Sequence, residues 1–356
     1  MTTTDPCNAD ALHAALAALT TLAPLTPDTD AGSQLRQLVS DGLDRLPLPG
    51  GGATLARWRA LAAVGAHDLS LAKLYEGHTD ALAILAELGR PGEANGRDTW
   101  GVWAAESPGG RVVIEPQAGH AVLLHGTKHW CSGATHLSHG LLTAWHADGR
   151  GPQLVTVAMD QYPVVVNSST WQAVGMAGSA SVDVSFNGAQ AHQVGEAGAY
   201  LARPGFWQGG AGIAACWHGG ARAIGATLSH KLLASAVAGR SAFQLAALGR
   251  IDLRLEATSA LLREAAQWID QHPEADASSV ALRVRLAVED AAKHVLDEAG
   301  RALGATPFCR DAQFARMAAD LPVFVRQSHA ERDLAALGER LLSSCGTSPP
   351  DPPWTL

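Results

Sequence analysis

Charge is scarce in this chain. Asp, Glu, Lys and Arg make up 17% of 356 residues, with 34 acidic against 26 basic side chains and a formal net charge of -8, so nothing electrostatic recommends nucleic acid or an anionic membrane as a partner. A phosphate-bearing small ligand stays open, because arginines can cluster locally. Cysteine is also sparse. Cys7, Cys131, Cys216, Cys309 and Cys345 are scattered, odd in number and form no CxxC pair, which argues against a disulfide scaffold or structural zinc and fits a reducing cytoplasm. No basic start followed by an apolar run occurs, and no stretch of about 18 apolar residues, so neither a signal peptide nor a membrane span is predicted. There is no G-x-S-x-G elbow and no P-loop, and the glycine runs at 50–52 and 209–212 lack the strand-to-helix setting of a dinucleotide fingerprint. Neither His125 with His129 nor His136 with His139 gains a third ligand for a metal.

What the chain does have is apolar patterning: 47% of its residues are hydrophobic, enough for a large core. Three textures follow one another. Residues 1–97 read as a helical domain, with helices predicted over 11–22, 32–46 and 55–88, the last interrupted where Asp68 or Ser70 can cap a new helix. Residues 98–204 offer short Val-, Trp-, Thr- and Leu-rich runs separated by Gly, Pro, Asp and Ser, which predict a β barrel or sandwich. Residues 205–345 return to helical spacing over 213–238, 243–269, 278–303 and 316–342, an antiparallel four-helix bundle, and 346–356 is a loose, proline-rich tail. The fold class is α+β and multidomain.

The stretch Gly126-Thr-Lys-His-Trp-Cys-Ser-Gly133 carries the chemistry. On a strand of period two, Trp130 and Ser132 share a face, an indole beside a hydroxyl. Such a pair is either ordinary core and turn or a wall for a flat heterocycle with polar edges.

With helices, β domain and bundle in this order, the chain resembles the acyl-CoA dehydrogenase family of flavoproteins. Gly126, Lys128, Trp130 and Ser132 match the family's Gly-x-Lys-x-Trp-x-Thr/Ser strand, and Gly175-Met-Ala-Gly-Ser-Ala-Ser181 is similar to the strand that closes its flavin site. Ala105-Glu106-Ser107-Pro108 loosely echoes its Thr-Glu-Pro loop. The resemblance implies FAD between the β domain and the bundle, with Trp130, Ser132, Glu106, Ser107, Ser179 and Ser181 contacting it. It implies an FAD-dependent oxidoreductase acting on the CH–CH group of an acyl thioester, and a homodimer or homotetramer.

The chain also departs from that pattern. Dehydrogenation needs a carboxylate base, and the position before the last helix holds Ser328 or His329, while Gln208 to Gly210 offers no carboxylate either. His329 is then a base or a proton donor, as in the family's monooxygenase branch, or a surface or capping histidine. His78 has the same two readings. Arg240 replaces the family's Arg-x-x-Phe-Gly phosphate loop, or faces a helix C-terminus. Arg316 and Asp320, four apart, are expected to pair. Two alternatives to the dehydrogenase follow: a monooxygenase taking reduced flavin from a reductase and using oxygen, and a degenerate member that binds an acyl carrier or partner protein.

Overall fold

The computed structural model describes residues 17–19, 21–22, 30–93 and 96–344. The tail at 346–356, Cys7, Cys345 and most of the predicted helix at 11–22 lie outside them.

Helix α1 (Ala31–Ser40) starts at Asp30, whose carboxylate accepts from Ser33 N at 2.6 Å. It is shorter than the predicted 32–46. Gly42, at φ 71°, closes it: Leu43 N bonds Leu38 O at 2.9 Å and Gly42 N bonds Val39 O at 3.1 Å, a Schellman stop that turns Asp44 inward. Helices α2 (Thr54–His67) and α3 (Leu69–Glu87) meet at Asp68, not Ser70, which caps α3 by accepting from Leu71 N.

Seven strands follow: β1 (Trp100–Trp103), β2 (Val112–Pro116), β3 (Ala121–Ser132), β4 (His139–His146), β5 (Pro152–Ala158), β6 (Val164–Asn167) and β7 (Ser181–Val194). Pairing runs β4-β2-β3-β7-β5, and β5 pairs again with β4, so the sheet closes into a small barrel. Strand β1 adds to β4 and β6 to β7. Strand β6 was not foreseen, since Val164-Val-Val-Asn167 is short and follows Pro163.

The C-terminal region contains α4 (Ala199–Ala202), α5 (Gly205–Ala211), α6 (Ile213–Ala234), α7 (Ala242–Gln271), α8 (Ser278–Leu303), α9 (Ala305–Arg310), α10 (Ala312–Phe324) and α11 (Glu331–Ser344). The helix predicted over 316–342 is broken in two. Ser328 is extended and Ala330 has φ 46°, a left-handed residue no helix tolerates. Helices α2 and α6 cross at backbone contact, because any Cβ on Gly65 or Gly219 would collide with the facing carbonyl of Cys216 or Ala62. Among the described residues no helix is long and apolar enough to cross a membrane, and no three His, Cys, Asp or Glu side chains are grouped to hold a metal ion.

Candidate functional site

Strict alternation along β3 holds only as far as Lys128. Lys128 pairs with Val184 and Cys131 with Val182, so His129 and Trp130 together oppose Asp183 in a β-bulge. Trp130 is the extra residue, left-handed at φ 62° and 56% exposed. Simple period-two alternation, from which Trp130 and Ser132 are expected to share a face, is thus interrupted at Trp130. The bulge presents the indole instead, while Ser132 stands outward beside Ser181, their hydroxyls 2.7 Å apart. His129 points to the same outward side and binds Asp183 at 2.8 Å. The turn holding Ser107 abuts this bulge, since a side chain on Gly110 would strike the His129 ring.

The segment leading into β7 is tied to both neighbours. Gly133 N donates to Ser179 O at 2.6 Å, and Ser179 N and Oγ donate to Met176 O at 3.1 and 3.2 Å. Met176 is buried and left-handed at φ 58°; its N–H donates to Asp320 of α10 at 2.5 Å. The expected Arg316–Asp320 pair is not made. Arg316 reaches Asp68 at 3.0 Å, leaving Asp320 to the backbone of the flanking loop. Burial pushes the Asp320 carboxyl up to about 6, with the Asp68 charge adding to the rise and Met176 N and Arg316 opposing it.

Past α10 comes the loop with Ser328 and His329. His329 Nδ1 lies 3.4 Å from Asp333, whose other oxygen accepts from His329 N, so the carboxylate orients the ring and caps α11 together. Ser328 is buried and its hydroxyl accepts from Ala330 N. Arg285 donates to Gly210 O at 2.9 Å and to Gln327 O at 3.0 Å, fastening the loop to α5, and it lies 5.5 Å from the Trp217 ring centroid. The buried carboxylate under the loop is Glu289, which accepts from Lys293 and Arg326 at 2.5 Å each. Although burial alone raises it, those cations hold it below the usual carboxylate range, a poor setting for a base.

Other predicted residues are placed elsewhere. The Glu106 carboxylate takes Lys128 Nζ at 2.9 Å, Thr143 Oγ1 at 2.6 Å and Trp145 Nε1 at 3.1 Å, the counter-charge of an ammonium buried in the barrel. Arg240 Nε donates to Leu232 O at 2.9 Å, at the C-terminal end of α6. That is about 22 Å along the helix from Trp217, which packs on Phe324. His78 accepts from Trp100 N through Nδ1 and meets Asp44 at 3.1 Å through Nε2, with the pair fully buried. It is a structural pin. Asp320, Asp333 and Arg285 were missed. For Asp333 the signal was the four-residue spacing from His329; for the other two, partners distant in sequence left no signal.

No family model matches the sequence, and no curated protein matches it. Solved structures do. The complex of TdsC, a dibenzothiophene monooxygenase from Paenibacillus sp. A11-2, with FMN and indole is 18% identical over 98% of this chain and 99% of its own, with a TM-score of 0.79. KijD3 with FMN and a dTDP-linked amino-keto sugar is 19% identical, covering 96% and 94%, at TM-score 0.77. Butyryl-CoA dehydrogenase from Megasphaera elsdenii is 17% identical, covering 96% and 100%, at TM-score 0.79. Barrel, flanking helices and nearly complete coverage on both sides agree: this chain has the acyl-CoA dehydrogenase fold.

Proposed function

We propose that this chain is a flavin-dependent monooxygenase that receives reduced flavin from a separate reductase. The observation that carries the reading is His329, in the loop before α11 and oriented by Asp333 of that helix's first turn, at the place where a dehydrogenase of this fold would need a carboxylate base. Glu289, the buried acid beneath, is neutralised by Lys293 and Arg326. The carboxylate that proton abstraction alpha to a thioester calls for is therefore missing from that loop, whereas the His329 imidazole, held at Nδ1 by Asp333, presents Nε2 for proton transfer.

The residues present fit a flavin. Trp130 offers an exposed indole for the ring system, and the Ser132–Ser181 hydroxyl pair offers donors and acceptors for its polar edge. A reduced flavin supplies the electrons that activate oxygen. The protein's part is to pack the ring on Trp130, to hold its edge through Ser132 and Ser181, and to keep a proton at His329 Nε2. FMN needs no pyrophosphate contact at this site, and Arg240, the residue the sequence offers for one, turns its Nε to Leu232 O. TdsC and KijD3 were both solved with FMN.

The test mixes anaerobically reduced FMN and protein with oxygenated buffer. Wild type should slow re-oxidation of the flavin relative to free FMN, and His329→Ala should restore fast re-oxidation with hydrogen peroxide release. Anaerobic bleaching of oxidised flavin by butyryl-CoA would overturn the reading in favour of a dehydrogenase acting on acyl thioesters; failure to bind FMN or FAD would favour a partner-binding protein without chemistry.

A further inference from the structure

We propose that Asp320 is the positioning residue of the flavin wall: from α10 it holds Met176 in a left-handed turn, and through that turn it sets where the Ser132 and Ser181 hydroxyls stand. The inference deepens the reading above and rests on it for the identity of the ligand.

The chain of contacts is continuous. Asp320 accepts Met176 N at 2.5 Å; Met176 O accepts both Ser179 N and Ser179 Oγ; Ser179 O accepts Gly133 N at 2.6 Å; and Gly133 adjoins Ser132, which pairs with Ser181 at 2.7 Å. Each link fixes the next. Without the carboxylate, Met176 loses the partner of a buried N–H and has little reason to stay at φ 58°, a left-handed conformation that disfavours a residue with a Cβ. The rest of the junction is shaped for this approach. A side chain on Gly175 would collide with Ala319 O of α10, and one on Gly178 would sit 3.0 Å from Ser70 at the start of α3. Asp320 itself is buried, and its second oxygen has no hydrogen-bond partner. A buried carboxylate that makes one backbone bond and spurns the arginine four residues away is poorly explained by stability. It is well explained by the need to hold that one amide.

The clamp is also sensitive to protonation. The charged groups acting on Asp320 are Asp68, at the cap of α3, and Arg316, which is engaged with Asp68. Acidification replaces a charge-assisted bond to Met176 N with a weaker neutral one. Flavin affinity should then fall as the medium is taken from pH 7.5 to pH 5.

The experiment compares wild type, Asp320→Asn and Asp320→Ala by FMN titration at several pH values and by amide exchange of Met176 and Gly133 without flavin. Asn keeps an oxygen for Met176 N but cannot titrate. It should bind FMN at every pH with the affinity wild type shows at pH 5, about 3-fold weaker than wild type at pH 7.5, and so lose the pH dependence. Ala should raise the Kd at least 10-fold and speed exchange at both amides, with helical circular dichroism unchanged. Alanine binding as tightly as wild type, or an Asn variant that keeps the wild-type pH profile, would overturn the proposal. Should wild type bind no flavin, the reading of function fails, and the clamp is judged on exchange alone: unaltered protection of Met176 and Gly133 in Asp320→Ala would overturn it too.

Discussion

Removing the Glu106 side chain should destabilise the barrel more than removing Glu106 and Lys128 together. Lys128 Nζ is buried, and its contacts are Glu106, the Thr143 hydroxyl at 2.8 Å and Thr143 O at 3.3 Å. Glu106→Ala leaves that ammonium with two neutral acceptors and no counter-charge. Breaking a buried pair costs about 3–5 kcal/mol. Because the Glu106 side chain is 42% exposed and water can approach the vacated position, the low end, about 3 kcal/mol, applies. Lys128→Met combined with Glu106→Ala removes the stranded charge and retains apolar volume in the barrel, so the double variant should recover at least ~1 kcal/mol of that loss. Urea unfolding followed by Trp fluorescence measures both. A Glu106→Ala cost below about 1 kcal/mol, or a double variant less stable than the single one, would refute the assignment of Glu106 as the counter-charge of Lys128. The acid limb gives a second check. Burial pulls the Glu106 carboxyl up, but hydrogen bonds from Thr143, Lys128 and Trp145 hold it below its ordinary value. Its folded pKa being depressed, its contribution is present above the usual carboxylate range and is lost as pH falls through the folded value.

At the α2–α6 crossing, Gly219→Ala drives a methyl into Ala62 O and should cost about 1–3 kcal/mol, whereas Gly249→Ala, on α7 with nothing within 4 Å of its added Cβ, should stabilise by about 0.4–1 kcal/mol; thermal melts compare the two. His218 sits between Thr258 Oγ1 and Ser259 Oγ, each 3.2 Å away. Burial first, then the charges of Arg222 and Arg263, lower its pKa to about 4. The folded state therefore takes up its proton later than the unfolded chain does. Stability should decline between pH 6.5 and pH 4 by up to about 3 kcal/mol, and His218→Gln should flatten that limb of a pH-dependent melt.

The order of helices, barrel and helices was legible because each texture repeats over many residues, and a new helix start at Asp68 or Ser70 was legible from two capping residues before an apolar run. Boundaries set by a single backbone conformation were not. Gly42 ended α1 early through its positive φ, and the break at Ala330 split a helix whose apolar spacing runs straight through it. At the site, Trp130 and Ser132 stood out by residue type, yet the bulge that presents the indole depends on the register of β3 against β7, strands about fifty residues apart in sequence. Arg316 and Asp320 show the opposite error. Local spacing suggested a pair, and tertiary partners on α3 and the loop before β7 claimed both.

The bulge has one more implication. With Trp130 taken out of the chain, Lys128, His129, Cys131 and Ser132 would face Val184, Asp183, Val182 and Ser181 one to one, an uninterrupted ladder. Losing a single codon would therefore remove the exposed indole while leaving this ladder of the barrel whole. Under the proposed reading, a descent in which flavin capture comes and goes by insertion and deletion at this one position needs no intermediate that fails to fold.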